Sequence, residues 1–134
     1  MHQRFPLLAA GILGASGVAA GALGTHLLSP YLAGHGMREA WETAVRYQLF
    51  HALALLGVAG WLRPAPGVAA AVRAVRAARC WTVGTILFSG SLYGLACGGP
   101  RWLGPVTPLG GLGLIAGWIF AAGAAAAPRP DHDG

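Results

Sequence analysis

The side chains best suited to chemistry lie close together in one segment, WETAVRYQLFH. At about 100° per helical residue, Glu42 and Arg46 share one face, in the acid-first order that favours an ion pair. Tyr47 and His51 form a neighbouring stripe, and Gln48 lies off both. Two interpretations follow. An ion pair and a Tyr–His contact could stabilise the outer end of a helix, or these residues could line a polar pocket for a ligand, a lipid headgroup or a proton.

His26 is a further candidate for such a pocket. A haem or metal site that joins it to His51 is disfavoured, because in antiparallel helices their depths would differ by roughly 10–15 Å. The sequence has no Ser/His/Asp order, no phosphate-binding loop and no Cys/His cluster. We therefore assign no catalytic residue, no metal and no cofactor.

The composition indicates which class of protein surrounds these residues. Of 134 residues, 55% are hydrophobic and 10% charged, and the mean hydropathy is +0.57. A soluble domain has about 25% charged residues, and a disordered chain is poor in apolar ones. With both classes excluded, the composition predicts an integral membrane protein. All nine basic residues are arginines, and they lie at the edges of apolar runs. They do not form one basic patch with interspersed aromatic residues, so a nucleic-acid-binding face is excluded.

Uncharged runs and helix-breaking residues predict a single domain, an all-α integral membrane bundle of four transmembrane helices. About 20 apolar residues cross the ~30 Å hydrocarbon core of a bilayer. The second apolar run is shorter than this, so its helix must begin earlier and include the polar segment. The predicted spans are 5–28, 38–62, 80–98 and 106–127, with a short basic amphipathic segment at 67–79 and a disordered tail at 128–134.

The distribution of arginines predicts the orientation. Six arginines lie in the N-terminus, the second connection and the tail, against three on the other side. Because positive residues favour the cytoplasmic side, both termini and the second connection are predicted to be cytoplasmic, in a bacterial inner membrane. A cleaved signal peptide ending near Ala22 is the competing interpretation of the first span.

Small residues recur every third or fourth position in three of the predicted helices. Membrane helices pack through such stripes because small side chains let backbones approach. We expect them to hold the bundle together, and a glycine-lined permeation path is the alternative. The stripes are Gly14, Gly17, Gly21 and Gly24; Ser91, Gly94 and Gly98; and Gly110, Gly113 and Gly117.

The basic segment before the third span places an arginine at every third position, at Arg73, Arg76 and Arg79, beside an Ala/Val face. This pattern fits a short amphipathic helix on the inner surface, or a cytoplasmic extension of the third span. The arginines are either a solvated charged face or contacts for phospholipids of the inner leaflet.

Four sequence blocks together resemble one known family. They are Gly21–His26 (GALGTH), Trp41–Gln48 followed by Phe50–Ala54 (WETAVRYQ and FHALA), Phe88–Tyr93 (FSGSLY) and Leu103–Gly111 (LGPVTPLGG). In this order they are similar to the bacterial family called domain of unknown function 423, which is itself similar to the eukaryotic transmembrane protein 256. The resemblance implies a small inner-membrane protein with about four spans, and it implies no established activity.

Three functions remain open at this point. The first is a non-enzymatic accessory or interaction protein, whose partners are the lipid bilayer, a second copy or another membrane protein. The second is a small transporter or ion-conducting protein that uses the polar half of the second span. The third is a redox or enzyme subunit that interacts with lipid or quinone.

Overall fold

The computed structural model describes residues 4–64 and 66–128, and these form five α-helices and no strand. The predicted tail 128–134 lies, apart from Pro128, outside the described residues. The chain is thus all-helical, as predicted. The helices are α1 (Arg4–Thr25), α2 (Ser29–Gly34), α3 (Arg38–Trp61), α4 (Val68–Ala96) and α5 (Leu103–Ala125).

The short helix α2 was not predicted. α1 ends at Thr25, and Pro30 begins the first turn of α2, where a missing backbone N–H is tolerated. Gly36, two residues after α2, has a φ of 65°, a conformation that suits glycine and stops the helix. The segment after the first predicted span is therefore a folded connection and not a simple loop.

The predicted basic segment 67–79 is not a separate element. It continues without a break into the third predicted span, so that α4 has 29 residues. The second of the two arrangements considered above, an extension of the span, is the one observed. Just beyond the end of α4, Gly98 has a φ of 81°, and the Gly99 N–H donates to the Gly94 carbonyl at 2.8 Å. This is the Schellman pattern of a helix end.

α5 begins at Leu103, three residues before the predicted span. Pro105 lies in the first turn, where backbone N–H groups have no partner inside the helix, so proline removes no hydrogen bond there. α5 thus begins earlier than the proline spacing predicted, and Pro108 lies inside the helix, without the backbone N–H that would donate to the Gly104 carbonyl.

The long helices pack in the order α1, α3, α4, α5, and the α4–α5 contact is the most extensive. Neighbours are antiparallel: Gly24 meets Trp41 while Gly17 meets Leu49. All four long helices contribute to the main core. Its buried residues are Ala9, Ala10, Leu13, Ala52, Leu55, Ala77, Ala78, Trp81 and Leu114.

The outward surface of the helices is apolar. α1 and α5, with 22 and 23 residues, are long and apolar enough to cross a membrane. Large side chains such as Leu8, Ile12 and Ile119 are about two-thirds exposed. A surface of this kind is expected where lipid and not water surrounds the helix.

Candidate functional site

Gln48 is the polar centre of the molecule. Its side chain is 5% exposed and lies on α3, between α1 and α4. The amide Nε2 donates to the Leu13 carbonyl at 3.0 Å and to Ser16 Oγ at 2.8 Å, both on α1. The amide oxygen accepts a hydrogen bond of 2.8 Å from the Tyr93 hydroxyl on α4. One side chain therefore connects three helices through both donors and its acceptor.

His51 lies one turn further along α3 and is also 5% exposed. The indole Nε1 of Trp118, which can only donate, lies 3.2 Å from His51 Nε2. His51 Nε2 is thus an acceptor, and the ring proton is on Nδ1, which lies 2.7 Å from the Tyr47 carbonyl. Both ring nitrogens are engaged. To take a proton or a ligand on Nε2, the ring must first lose the Trp118 hydrogen bond.

A polar stripe on α4 completes this centre, and it was not predicted from the sequence as one site. Trp81, Thr85, Ser89 and Tyr93 are spaced by four residues along α4. Ser89 Oγ donates to the Ala44 carbonyl of α3 at 2.7 Å. The serine and tyrosine bonds both join α4 to α3. The spacing of four was the signal that could have identified the stripe as a unit.

Two buried polar atoms in this stripe have no partner among the described residues, namely Trp81 Nε1 and Thr85 Oγ1. Trp81 packs its ring 4.7 Å from that of Trp118 and 6.3 Å from that of His51. Within the stripe, Trp81 therefore serves aromatic packing, whereas Ser89 and Tyr93 serve hydrogen bonding.

The remaining predicted site residues do not form a pocket together with this centre. Tyr47 is 39% exposed and its ring lies 6.2 Å from that of His51, so the predicted Tyr–His contact is present. Glu42 and Arg46 are both exposed, and within residues 4–64 and 66–128 neither lies within 4.0 Å of an oppositely charged group. His26 is exposed just beyond the end of α1.

A separate cavity of about 280 Å³ lies between α1, α2 and α3 near their common end. Of the predicted site residues, Glu42 lines it, together with Arg38, Trp41 and Ser29. Arg38 donates to Ser29 Oγ at 2.9 Å, and the Trp41 indole donates to the Ala20 carbonyl at 2.9 Å. Of the predicted residues, Gln48 and His51 therefore lie in the interior polar centre, Glu42 lines this recess, and Arg46, Tyr47 and His26 are exposed outside both.

The arginines of the basic segment contact α5 in two cases. Arg73 donates to the Gly123 carbonyl at 2.7 Å, and the Arg76 guanidinium lies over the Phe120 ring at 6.0 Å. Arg79 is exposed. All three are exposed enough to reach a lipid headgroup, and phospholipid contact stays a prediction. Within the described part of the chain, no three His, Cys, Asp or Glu side chains come together in an arrangement that could hold a metal.

Comparison with known proteins identifies the family. The family model described as "Protein of unknown function (DUF423)" matches residues 20–111. The inner membrane protein YgdD of Escherichia coli K12 is 40% identical over 126 residues, which cover 90% of this chain and 88% of YgdD. Membrane protein C1782.12c of Schizosaccharomyces pombe is 36% identical over 120 residues, covering 81% of this chain and 91% of that protein.

Membrane protein SH2409 of Staphylococcus haemolyticus is 39% identical over 106 residues, covering 77% of this chain and 80% of that protein. No solved structure matches the chain. The names of these relatives confirm the predicted membrane location, with the inner membrane named for the Escherichia coli protein. The resemblance found in the four sequence blocks is confirmed, and the chain belongs to the DUF423 family of membrane proteins.

Proposed function

We propose that this chain is a four-span inner-membrane protein with both termini in the cytoplasm, and that it is a non-enzymatic accessory or interaction protein. One observation supports the functional part above all others. The polar groups of Gln48 and His51, the residues best suited to chemistry, are hydrogen-bonded to neighbouring helices and to backbone carbonyls. They act to join helices and leave no free group aimed at a passage.

The lengths of α3 and α4 support four spans. With 24 and 29 residues, they extend about 36 Å and 44 Å at 1.5 Å per residue. Both lengths exceed the ~30 Å hydrocarbon core of a bilayer. The charged residues of α3 lie in its first half and those of α4 in its N-terminal half, so each helix retains an apolar stretch for the membrane.

The positions of the arginines support the orientation. Arg4 at the start of α1 and Arg63 after α3 line the same cavity, so these two chain segments lie at the same end of the molecule. Arg73 contacts Gly123 near the end of α5, which brings the basic part of α4 to the C-terminal end of α5. A basic end of this kind belongs on the cytoplasmic side under the positive-inside rule.

Cysteine accessibility tests the topology and the closed interior in one experiment. Cys80 and Cys97 are first replaced by alanine, and single cysteines are placed at the exposed Gly34 and at Gln48, His51 and Leu53. We expect a membrane-impermeant maleimide to label position 34 from the periplasmic side and to leave the other three unlabelled. If position 34 were labelled only from the cytoplasmic side, the orientation would be wrong, and labelling at 48 or 51 would overturn the closed interior.

Reconstitution separates an accessory protein from a transporter. Vesicles that contain the wild-type protein should conduct protons and monovalent cations no faster than protein-free vesicles. A protein-dependent flux that disappears in His51→Phe, with the protein still folded, would contradict the proposal and favour the transport hypothesis.

Photo-crosslinking in cells tests the interaction itself. A photoreactive residue at the exposed Ile115 or Ile119 of α5 should give a discrete adduct with another membrane protein, whereas the buried Leu114 provides the matched control. If no exposed position on any of the four long helices gave an adduct, the accessory function would be wrong.

A further inference from the structure

A continuous apolar groove runs along the exposed face between α1 and α3. Its wide part has a volume of about 450 Å³ and is lined by Gly11, Gly14 and Val18 of α1 and by Leu49, Leu53 and Leu56 of α3. Gly11 has open space where a Cβ would stand. Small residues thus leave a groove on a surface that otherwise presents large apolar side chains.

The groove ends in a second cavity, of about 420 Å³, which has an arginine on each side. Arg4 comes from the start of α1 and Arg63 from the residues just after α3. Leu7 and Leu56 line both cavities, so the two are continuous. Both arginines are exposed, and neither guanidinium group has a hydrogen-bond or ion-pair partner among the described residues.

The dimensions of the groove match those of one lipid chain. From Arg4 to Val18 it follows α1 for about 21 Å at 1.5 Å per residue, and the stretch of α3 from Arg63 back to Leu49 has the same length. One leaflet of the hydrocarbon core is about 15 Å thick. The groove therefore reaches from the level of the headgroups to somewhat beyond the middle of the bilayer.

We propose that this groove binds one anionic phospholipid, with an acyl chain between α1 and α3 and the phosphate between Arg4 and Arg63. Guanidinium groups hold phosphate oxygens through paired, charge-assisted hydrogen bonds. Basic recesses between transmembrane helices on the cytoplasmic side are suited to anionic headgroups. The site is distinct from Arg73, Arg76 and Arg79, and it does not depend on the accessory function proposed above.

Charge favours a lipid over a second copy of the chain. Two copies in one membrane have the same orientation, so a symmetric dimer through this groove would bring two Arg4 and two Arg63 side chains to the same end. Like charges that meet in this way are repelled. An anionic headgroup neutralises the pair, which makes it the better occupant.

Native mass spectrometry of the full chain tests the proposal after incubation with equal amounts of phosphatidylglycerol and phosphatidylcholine. Wild-type protein should retain one phosphatidylglycerol in preference to phosphatidylcholine. Because each arginine near a membrane surface strengthens anionic lipid binding about fivefold, we expect R4Q/R63Q to lower this preference by about 30-fold. Arg101→Gln, an exposed arginine outside the groove, is the matched control and should not lower it.

A second pair of variants tests the acyl-chain part of the site. Gly11→Leu should fill the groove and lower lipid retention, whereas Gly57→Leu, also at a position with open space but outside the groove, should not. An unchanged preference in R4Q/R63Q, or an equal loss in Arg101→Gln, would overturn the proposal. A wild-type dimer that Gly11→Leu converts to monomers would also overturn it, since the groove would then be an interface between copies.

Discussion

The helix pairs α1–α3 and α4–α5 both bury glycine stripes, but they fill the space in different ways. In the α4–α5 pair, Gly110 and Gly113 face backbone, whereas Gly117 faces the indole of Trp81. A Cβ at Gly110 would lie 2.7 Å from Phe88 Cα and still closer to Phe88 N, and one at Gly113 would lie 3.3 Å from Gly84 Cα. The two helix axes are therefore close enough for backbone to contact backbone.

In the α1–α3 pair the glycines face side chains. Leu49 fills the space beside Gly17, and the Trp41 indole fills the space beside Gly24. Hydrogen bonds from Trp41 and Gln48 to carbonyls of α1 supplement this contact. The same spacing of small residues thus supports two kinds of contact, a rigid one where backbones touch, as at Gly110, and an adaptable one where the flexible end of a side chain fills the space, as at Gly17.

The largest expected effect tests the rigid interface. Gly110→Ala forces a methyl group against the Phe88 backbone, which cannot rotate away, so α5 must move from α4. We expect a loss of about 3 kcal/mol in the free energy of unfolding, at the upper end of overpacking effects. Unfolding in mixed micelles measures it. Gly104→Ala, on the same helix with open space around it, is the control, and an equal loss there would remove the distinction between the two interfaces.

The polar centre between α1, α3 and α4 comes next. Gln48→Ala removes three hydrogen bonds to Leu13, Ser16 and Tyr93. Hydrogen bonds between membrane helices average about 0.6 kcal/mol each, so we expect a loss of about 2 kcal/mol by the same unfolding measurement. Leu53→Ala, at a lipid-facing position of α3, should cost much less. A double-mutant cycle with Tyr93→Phe should show coupling, and strict additivity would contradict the Gln48–Tyr93 bond.

The adaptable interface should tolerate what the rigid one does not. In Gly17→Ala the new methyl group would lie 2.8 Å from Leu49 Cδ2, the flexible end of a side chain. A change of the Leu49 rotamer relieves this contact, so we expect a loss of at most about 1 kcal/mol. Gly14→Ala, whose Cβ would make an ordinary contact of 3.9 Å with Ala52, should be neutral. A cost at Gly17 equal to that at Gly110 would mean that the two interfaces are equally rigid.

This contrast also explains how much the sequence could predict. The periods of three and four residues correctly placed the glycine stripes of α1 and α5 in helix interfaces, because that periodicity is a local property of the helix, whereas Gly98 lies beyond the end of α4. Whether a neighbouring backbone or a neighbouring side chain fills the space depends on the distance between two helix axes. No local pattern around Gly17 or Gly110 determines that distance.

The polar centre shows the same division between local and long-range information. Gln48 was placed off both helical stripes, and its importance comes from partners 32 to 45 residues away in the chain. The resemblance to the family included Gln48 and His51 without assigning them roles. By contrast, the spacing of Trp81, Thr85, Ser89 and Tyr93 is local and was available in the sequence. The short helix α2 was missed because its six residues are too few for periodicity to show.

The smallest expected effect concerns the one hydrogen bond that, within residues 4–64 and 66–128, joins α3 directly to α5, from Trp118 to His51. Trp118→Phe removes this bond but retains most of the aromatic contact with Trp81. Trp118 is 53% exposed, so its ring contributes little buried area, and we expect a loss of about 0.6 kcal/mol. Trp102→Phe, at an exposed position at the start of α5, is the matched control and should change nothing. A loss at Trp118 above that of Gln48→Ala would mean that α5 is held by His51 as much as by the glycines of α4, and the contrast between the two helix pairs would then be wrong.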